Sequence, residues 1–140
     1  ELTRNDLKQC AEIFIKAFSA EEWGCAWTQE RAEAYLGDYI ENKKFVGFVS
    51  EEEGVINGAI FGCVKVSWNN DEIYVDDLVV APEMQRCGIG QKLIDAMKDY
   101  SKANNLAGIV LYTNEQAPAK KFYEKNGFQL SQGTICMYWV

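Results

Sequence analysis

Histidine is absent from the 140 residues. That excludes the Ser-His-Asp relay, an imidazole base and the usual zinc sites, and leaves proton transfer to carboxylate, tyrosine, lysine, cysteine or water. Basic charge is scarce too: 14 Lys and Arg stand against 21 Asp and Glu, a net charge of −7. Counterion release from phosphates therefore has little to drive it, and no nucleic-acid partner is expected. No apolar run approaches the roughly 20 residues that cross a bilayer, and nothing resembles a signal peptide, so no membrane partner is expected. The five cysteines, Cys10, Cys25, Cys63, Cys87 and Cys136, are odd in number and contain no C-x-x-C pair. A reduced, cytoplasmic setting is expected rather than a disulfide framework. Repeats, low-complexity tracts and linkers are missing as well, and no metal is expected.

What is present is a folded chain: 48% hydrophobic and 25% charged residues suit a globular protein, and the length suits one domain over residues 1–140. Thr3 and Asp6 form a capping-box variant, after which Leu7, Cys10, Ala11, Phe14 and Phe18 recur at helical spacing, predicting a helix over about 5–19. Thr28 can cap a second helix running towards Ile40. Residues 45–50 and 55–68 read as a hairpin and 73–80 as a further strand stopped by Pro82. A glycine-bearing loop leads into an amphipathic helix through Leu93, Ile94, Met97 and Tyr100, then a strand over 107–113. Pro118 suits the first position of a short helix that Gly127 ends, and Phe128 begins a last hairpin. The chain begins at Glu1, so a first strand is expected to be lost or shortened there. The order ααβββαβαββ implies an α/β fold with a central mixed sheet and helices on both faces.

The loop Gln85-Arg-Cys-Gly-Ile-Gly90 follows a strand and opens a helix, so unpartnered N–H groups converge at the positive end of a helix dipole. Glycine at 88 and 90 admits an anion close to the backbone, and Arg86 adds a fork of donors. A Walker loop is absent, and a dinucleotide fingerprint from Gly88 would need glycine where Leu93 stands. Ordinary strand-to-helix turn chemistry is the alternative for two glycines taken alone.

Further on, Phe122 and Tyr123 stand one turn before the helix end at Gly127. With the strand Ile73-Tyr-Val-Asp-Asp-Leu-Val-Val80 and the loop, in that order, the chain resembles the GNAT superfamily of N-acetyltransferases over about residues 45–130. The two signatures are Q/R-x-x-G-x-G/A and a late F/L-Y-x-x-x-G-F. The resemblance implies an acyl-CoA N-acyltransferase fold in which the strand 73–80 splays from its neighbour 107–113 and acetyl-CoA lies in the gap. It places the pantetheine arm along Leu78, Val79 and Val80, and the pyrophosphate on the N–H groups of Gln85, Arg86, Cys87, Gly88, Ile89 and Gly90. Asn114, Ala119, Phe122 and Tyr123 would complete the cofactor site. The Leu78 N–H would meet the thioester carbonyl, and Tyr123 would protonate the leaving thiolate or, alternatively, only pack on the cofactor. Two departures stand out: relatives often have asparagine where Gln116 stands, with Asn114 close but shifted, and glycine or arginine where Cys87 stands.

Residues 85–125 hold seven basic and four acidic side chains, a net of +3, which leaves −10 for the rest. The basic segment suits an anionic cofactor, and the acidic remainder would attract a cationic amine or serve solubility alone. Strand alternation puts Tyr74, Asp76 and Leu78 on one face and Val75, Asp77 and Val79 on the other. Two adjacent aspartates in an apolar strand cannot both be buried, so at least one faces a cleft. Asp76 is expected to be the base, matching related aminoglycoside 6'-N-acetyltransferases, with Asp77 a base candidate or a structural hydrogen-bonding partner. Trp23 and Trp27 either line the acceptor pocket, with Glu21 and Glu22 near a cationic ligand, or close the core. Cys87 is expected to be oxidation-prone and not catalytic. The expected reaction is direct transfer from acetyl-CoA to a small cationic amine of aminoglycoside, aminosugar or polyamine kind. A protein or peptide amine acetyltransferase and a non-catalytic acyl-CoA sensor are the alternatives, and the apolar C-terminal strand 134–140 suits pairing across a homodimer.

Overall fold

The computed structural model describes residues 1–19 and 24–140. Helix α1, Leu7–Phe18, turns Cys10, Ala11, Ile13 and Phe14 inward. Helix α2, Gln29–Glu41, begins where the Thr28 hydroxyl accepts the Arg31 N–H at 3.2 Å, and it buries Ala32, Leu36 and Gly37. That cap lies where a side-chain oxygen satisfies an N–H group that the first turn leaves without a partner.

Strands β1 (Phe45–Glu52), β2 (Val55–Lys65) and β3 (Glu72–Val80) form an antiparallel meander, and β4 (Gly108–Leu111) lies parallel to β3, giving the order β1-β2-β3-β4. Helix α3, Ile89–Ala103, is the crossover between β3 and β4, and α4, Pro118–Lys125, starts with its proline in the first turn. Alternating side chains divide the core into two layers. Phe61, Ala59 and Val79 pack with Phe14, Ala32 and Leu36 beneath α1 and α2. Ile60, Ile73 and Val75 pack with Leu93, Ile94 and Met97 beneath α3. A fully buried side chain of this size contributes roughly 1.5–3 kcal/mol. Among the described residues no helix is long and apolar enough to cross a membrane.

The N-terminal residues lie against the free edge of β1, where the Leu2 N–H donates to the Gly47 carbonyl at 2.8 Å and the Leu2 side chain is buried. Three boundaries depart from the sequence reading. Strand β2 ends at Lys65 and not at residue 68, and β4 spans four residues and not 107–113. The hairpin expected after Phe128 does not form. Its turn is there, with Gly133 at φ 84° and the Ser131 and Thr134 hydroxyls 3.0 Å apart, yet no strand occurs in residues 128–140. A strand is stabilised by the face it buries, and here Ile135, Met137, Tyr138 and Trp139 remain 77–96% exposed. The segment expected to pair across a dimer is therefore not a strand in this structure.

Candidate active site

Parallel pairing ends part-way along β3, as the expected divergence requires. Pairing between β3 and β4 runs from Glu72↔Gly108 to Val75↔Leu111 and stops, whereas β3 continues to Val80. Beyond Val75, β3 keeps β2 on one side and an open edge on the other. Backbone polar groups alternate along a strand. The Ala81 N–H donates to the Asn57 carbonyl on the β2 side at 2.9 Å, so Val79 also turns its backbone towards β2. Leu78 and Val80 then direct theirs into the gap. Val79 is the exception among the three residues expected to line the cofactor: its side chain is buried beneath α1 and its backbone faces β2.

At the mouth of that gap the alternation expected of β3 fails. Gly62 pairs with Val75 and Phe61 with Asp77, so Asp76 is an extra residue, a β-bulge. The bulge reverses the parity of the strand. Leu78 and Val80 join Ile73 and Val75 on the α3 side, not Tyr74 as simple alternation required. Asp77 turns towards α2, where the Tyr35 hydroxyl donates to its Oδ2 at 2.9 Å and the Tyr39 hydroxyl donates to that of Tyr35 at 2.7 Å. The charge of Asp76, like that of Asp77, bears on Tyr39. Burial raises the Asp77 carboxyl to about 6, with the Asp76 charge adding to it and the Tyr35 and Tyr39 hydroxyls opposing it. Asp76 is exposed; its partial burial also raises its pKa, against the pull of the Lys65 ammonium. That ammonium sits 4.0 Å from the centre of the Tyr74 ring.

The glycine loop has the geometry of an anion cradle. Gly88 adopts φ 81°, which a side chain would strain, and Arg86 is also left-handed at φ 63°. The first intrahelical bond of α3 is Lys92 N–H to Gly88 C=O at 3.1 Å, so the N–H groups of Ile89, Gly90 and Gln91 have no partner within the helix. Two glycines set where this helix end sits. A Cβ at Gly58 on β2 would lie 2.7 Å from Ile89 Cγ2, and one at Gly90 would lie 3.2 Å from the Phe122 ring. Ile89 thereby packs on the sheet and α4 rests on the first turn of α3. The Gln85 side-chain amide donates weakly to the Val80 carbonyl at 3.5 Å, tying the loop to the open edge of β3. Cys87 is exposed with its thiol 3.7 Å from the Gln85 carbonyl.

Helix α4 carries the other expected groups. Ala119 is half-buried in its first turn, and Phe122 wedges between Gly90 and the α3-side core. Tyr123 stands edge-on to Phe122 and Phe128, with ring centres 5.3 and 5.6 Å away. Burial, with the Asp77 charge adding to it, pushes its phenol up to about 12, so it holds its proton at neutral pH. A cleft of about 550 Å³ opens beside it, lined among others by Tyr74, Tyr112 and Leu130. Asn114 does not present its amide oxygen to the gap, because that oxygen accepts the Gln116 N–H at 2.9 Å within the turn before α4.

Trp27 packs against Phe14 and Tyr35, each 5.1 Å between ring centres, and so closes the core beneath α2. Trp23, with Glu21 and Glu22, lies outside the described residues. Sequence reasoning missed Tyr35 and Tyr39 as members of the site. Their i, i+4 spacing on a capped helix was the available signal, but it reads equally as core.

The model of the acetyltransferase (GNAT) domain family matches residues 41–130. Among curated proteins the chain is similar to an uncharacterized N-acetyltransferase of Bacillus subtilis (strain 168), YhfO, at 32% identity over 74% of this chain and 72% of that protein. It is also similar to streptothricin acetyltransferase A of the same organism, at 27% identity over 89% and 75%. An aminoglycoside acetyltransferase from an uncultured soil metagenomic sample, solved in complex with sisomicin, shares the fold at TM-score 0.77 and 22% identity, covering 99% of this chain and 92% of that one. A possible acetyltransferase from Clostridium difficile 630 gives TM-score 0.85 at 19% identity, covering 100% and 95%.

Proposed function

Because the chain belongs to the GNAT acetyltransferase family, we propose that it moves an acetyl group from acetyl-CoA directly to a primary amine of a small cationic acceptor, of aminoglycoside, aminosugar or polyamine kind. The observation that carries this reading is the open edge of β3 beyond Val75 meeting the N-terminus of α3. The diphosphate of CoA would rest on the N–H groups of the loop and of Ile89, Gly90 and Gln91, with the Arg86 guanidinium beside it. The pantetheine arm would follow the backbone groups of Leu78 and Val80, which brings the thioester to the bulge and the carboxylates.

An ammonium acceptor is drawn to Asp76 and Asp77 and loses a proton to this carboxylate pair. The amine nitrogen attacks the thioester carbon, and the Leu78 N–H stabilises the oxyanion. As the C–S bond breaks, the Tyr123 phenol protonates the sulfur, a task suited to a hydroxyl still protonated at neutral pH. The reaction needs no covalent enzyme intermediate, so Cys87 has no part in it. The acceptor class rests on the acidic pair and on what two similar proteins are named for, streptothricin and aminoglycosides. Calorimetry with CoA and thiol release from acetyl-CoA with sisomicin, streptothricin and spermidine test the reading. CoA binding with amine-dependent thiol release is the expected result. Absence of CoA binding overturns it, binding without turnover indicates a sensor, and turnover with lysyl peptides alone indicates a protein acetyltransferase.

A further inference from the structure

Resting on that reading, the geometry points to Asp77 as the catalytic residue that takes the acceptor's proton, with Tyr35 and Tyr39 as the positioning residues that hold its carboxylate. The resemblance favoured Asp76, whereas the bulge turns Asp77 towards the tyrosine pair. Tyr35 fixes Asp77 Oδ2 at 2.9 Å and is itself fixed by Tyr39 at 2.7 Å, so Oδ1 is the oxygen that would meet an amine. Asp76 has no such hold. It is exposed and shares its surroundings with the Lys65 ammonium, so it suits electrostatic attraction of the acceptor better than proton removal.

The groups that bear on Asp77 are Tyr35 and Tyr39 from α2 and Asp76 from its own strand, and the Asp77 charge reaches Tyr123 on α4. Among the described residues no cation is one of them. Burial and one like charge keep this carboxylate more basic than an ordinary aspartate, while the tyrosine pair stops the rise before the group becomes permanently protonated. A base poised close to the working pH is more effective than one at the usual aspartate value. The balance of protons is complete without another reactant. Asp77 takes one proton from R–NH₃⁺ and gives it to water. The new C–N bond forms, the C–S bond breaks and the Tyr123 proton goes to sulfur, while the second nitrogen proton restores the phenol. The products are the amide, CoA thiol and one released proton.

The test combines two readouts on the whole chain. One is the pH profile of kcat/KM for sisomicin, followed by thiol release at saturating acetyl-CoA. The other is the ¹³C NMR titration of the aspartate carboxyls, which does not depend on turnover. In Tyr35→Phe, losing the donor to the carboxylate moves both the acidic limb and the Asp77 resonance to higher pH, by roughly one unit. Tyr39→Phe moves them the same way by less, and serves if Tyr35→Phe folds poorly. Asp76→Asn moves both to lower pH and raises KM. Asp77→Asn removes the enzyme's contribution to the limb and lowers kcat by roughly 10²-fold or more. The assignment is overturned if Asp76→Asn is the variant that removes the limb, or if Tyr35→Phe moves neither limb nor resonance, since a mere tie between α2 and β3 would leave both in place. Wild-type protein that releases no thiol with any amine, its Asp77 titration still raised, refutes acetyl transfer itself and this assignment with it.

Discussion

Replacing Asp77 by Asn is expected to stabilise the fold at neutral pH. The carboxyl is raised from 3.8 to about 6 in the folded state, so between those values the folded chain binds more protons than the unfolded one. Stability from this group is therefore fully present below the unfolded value and lost as pH rises through the folded one. About two pKa units at 1.36 kcal/mol each make the cost roughly 3 kcal/mol once the group is ionised. Asparagine keeps the shape and an oxygen to accept from Tyr35, and carries no charge to desolvate. Urea denaturation of both proteins at pH 7.5 and pH 5.0 measures the effect: the variant gains roughly 3 kcal/mol at the higher pH and about half of that at the lower. In a chain of this size that corresponds to roughly 10 °C in Tm at pH 7.5. A variant less stable than wild type at pH 7.5, or a difference that does not change with pH, would refute the reasoning. The same substitution is expected to remove activity, so the site holds a charge the fold would be better without.

Three further outcomes follow from the geometry. Gly88→Ala forces a side chain into φ 81°, costing about 1–2 kcal/mol in a urea titration, and weakens CoA binding by calorimetry because the loop cannot keep its turn. Gly58→Ala puts a Cβ 2.7 Å from Ile89 Cγ2, so Ile89 and the start of α3 must shift; we expect about 1–3 kcal/mol of destabilisation and a lower affinity for CoA. Tyr123→Phe keeps the edge-on contacts with Phe122 and Phe128 but removes the proton, so kcat falls by roughly 10²-fold while CoA affinity, read by calorimetry, stays within a few-fold of wild type.

The sheet, both helical layers and the loop before α3 were legible because each rests on local signals. Periodic apolar positions mark α1 and α3, Thr28 caps α2, Pro118 opens α4, and Gly88 sits where the backbone turns left-handed. What the sequence hid is what depends on distant pairing. The bulge exists because β2 is in register with both halves of β3, and nothing in Val75-Asp-Asp77 announces that Asp76 is the extra residue. Tyr35 meets Asp77 across 42 positions, so its role is visible only once α2 lies on the sheet. That the Asn114 amide oxygen is engaged in its own turn was not visible either, because the resemblance says nothing of that turn. The tail carried strand-like residues without a face to bury them, and composition cannot supply that face.

A single inserted residue in β3 has an effect out of proportion to its size. Upstream of it the strand is clasped on both flanks, and downstream it is clasped on one, so Asp76 acts as a phase shifter between a sealed half and an unsealed half of the same ribbon. Drawing that residue into regular alternation, with no bulge to absorb it, would turn the downstream half over. Leu78 and Val80 would then rotate from beneath α3 to beneath α1 and α2, where Val79 now fits, and two apolar layers would lose their match. Keeping this residue out of the pairing is thus what matches the whole interior, whereas the exposed carboxylate itself can be exchanged at the surface.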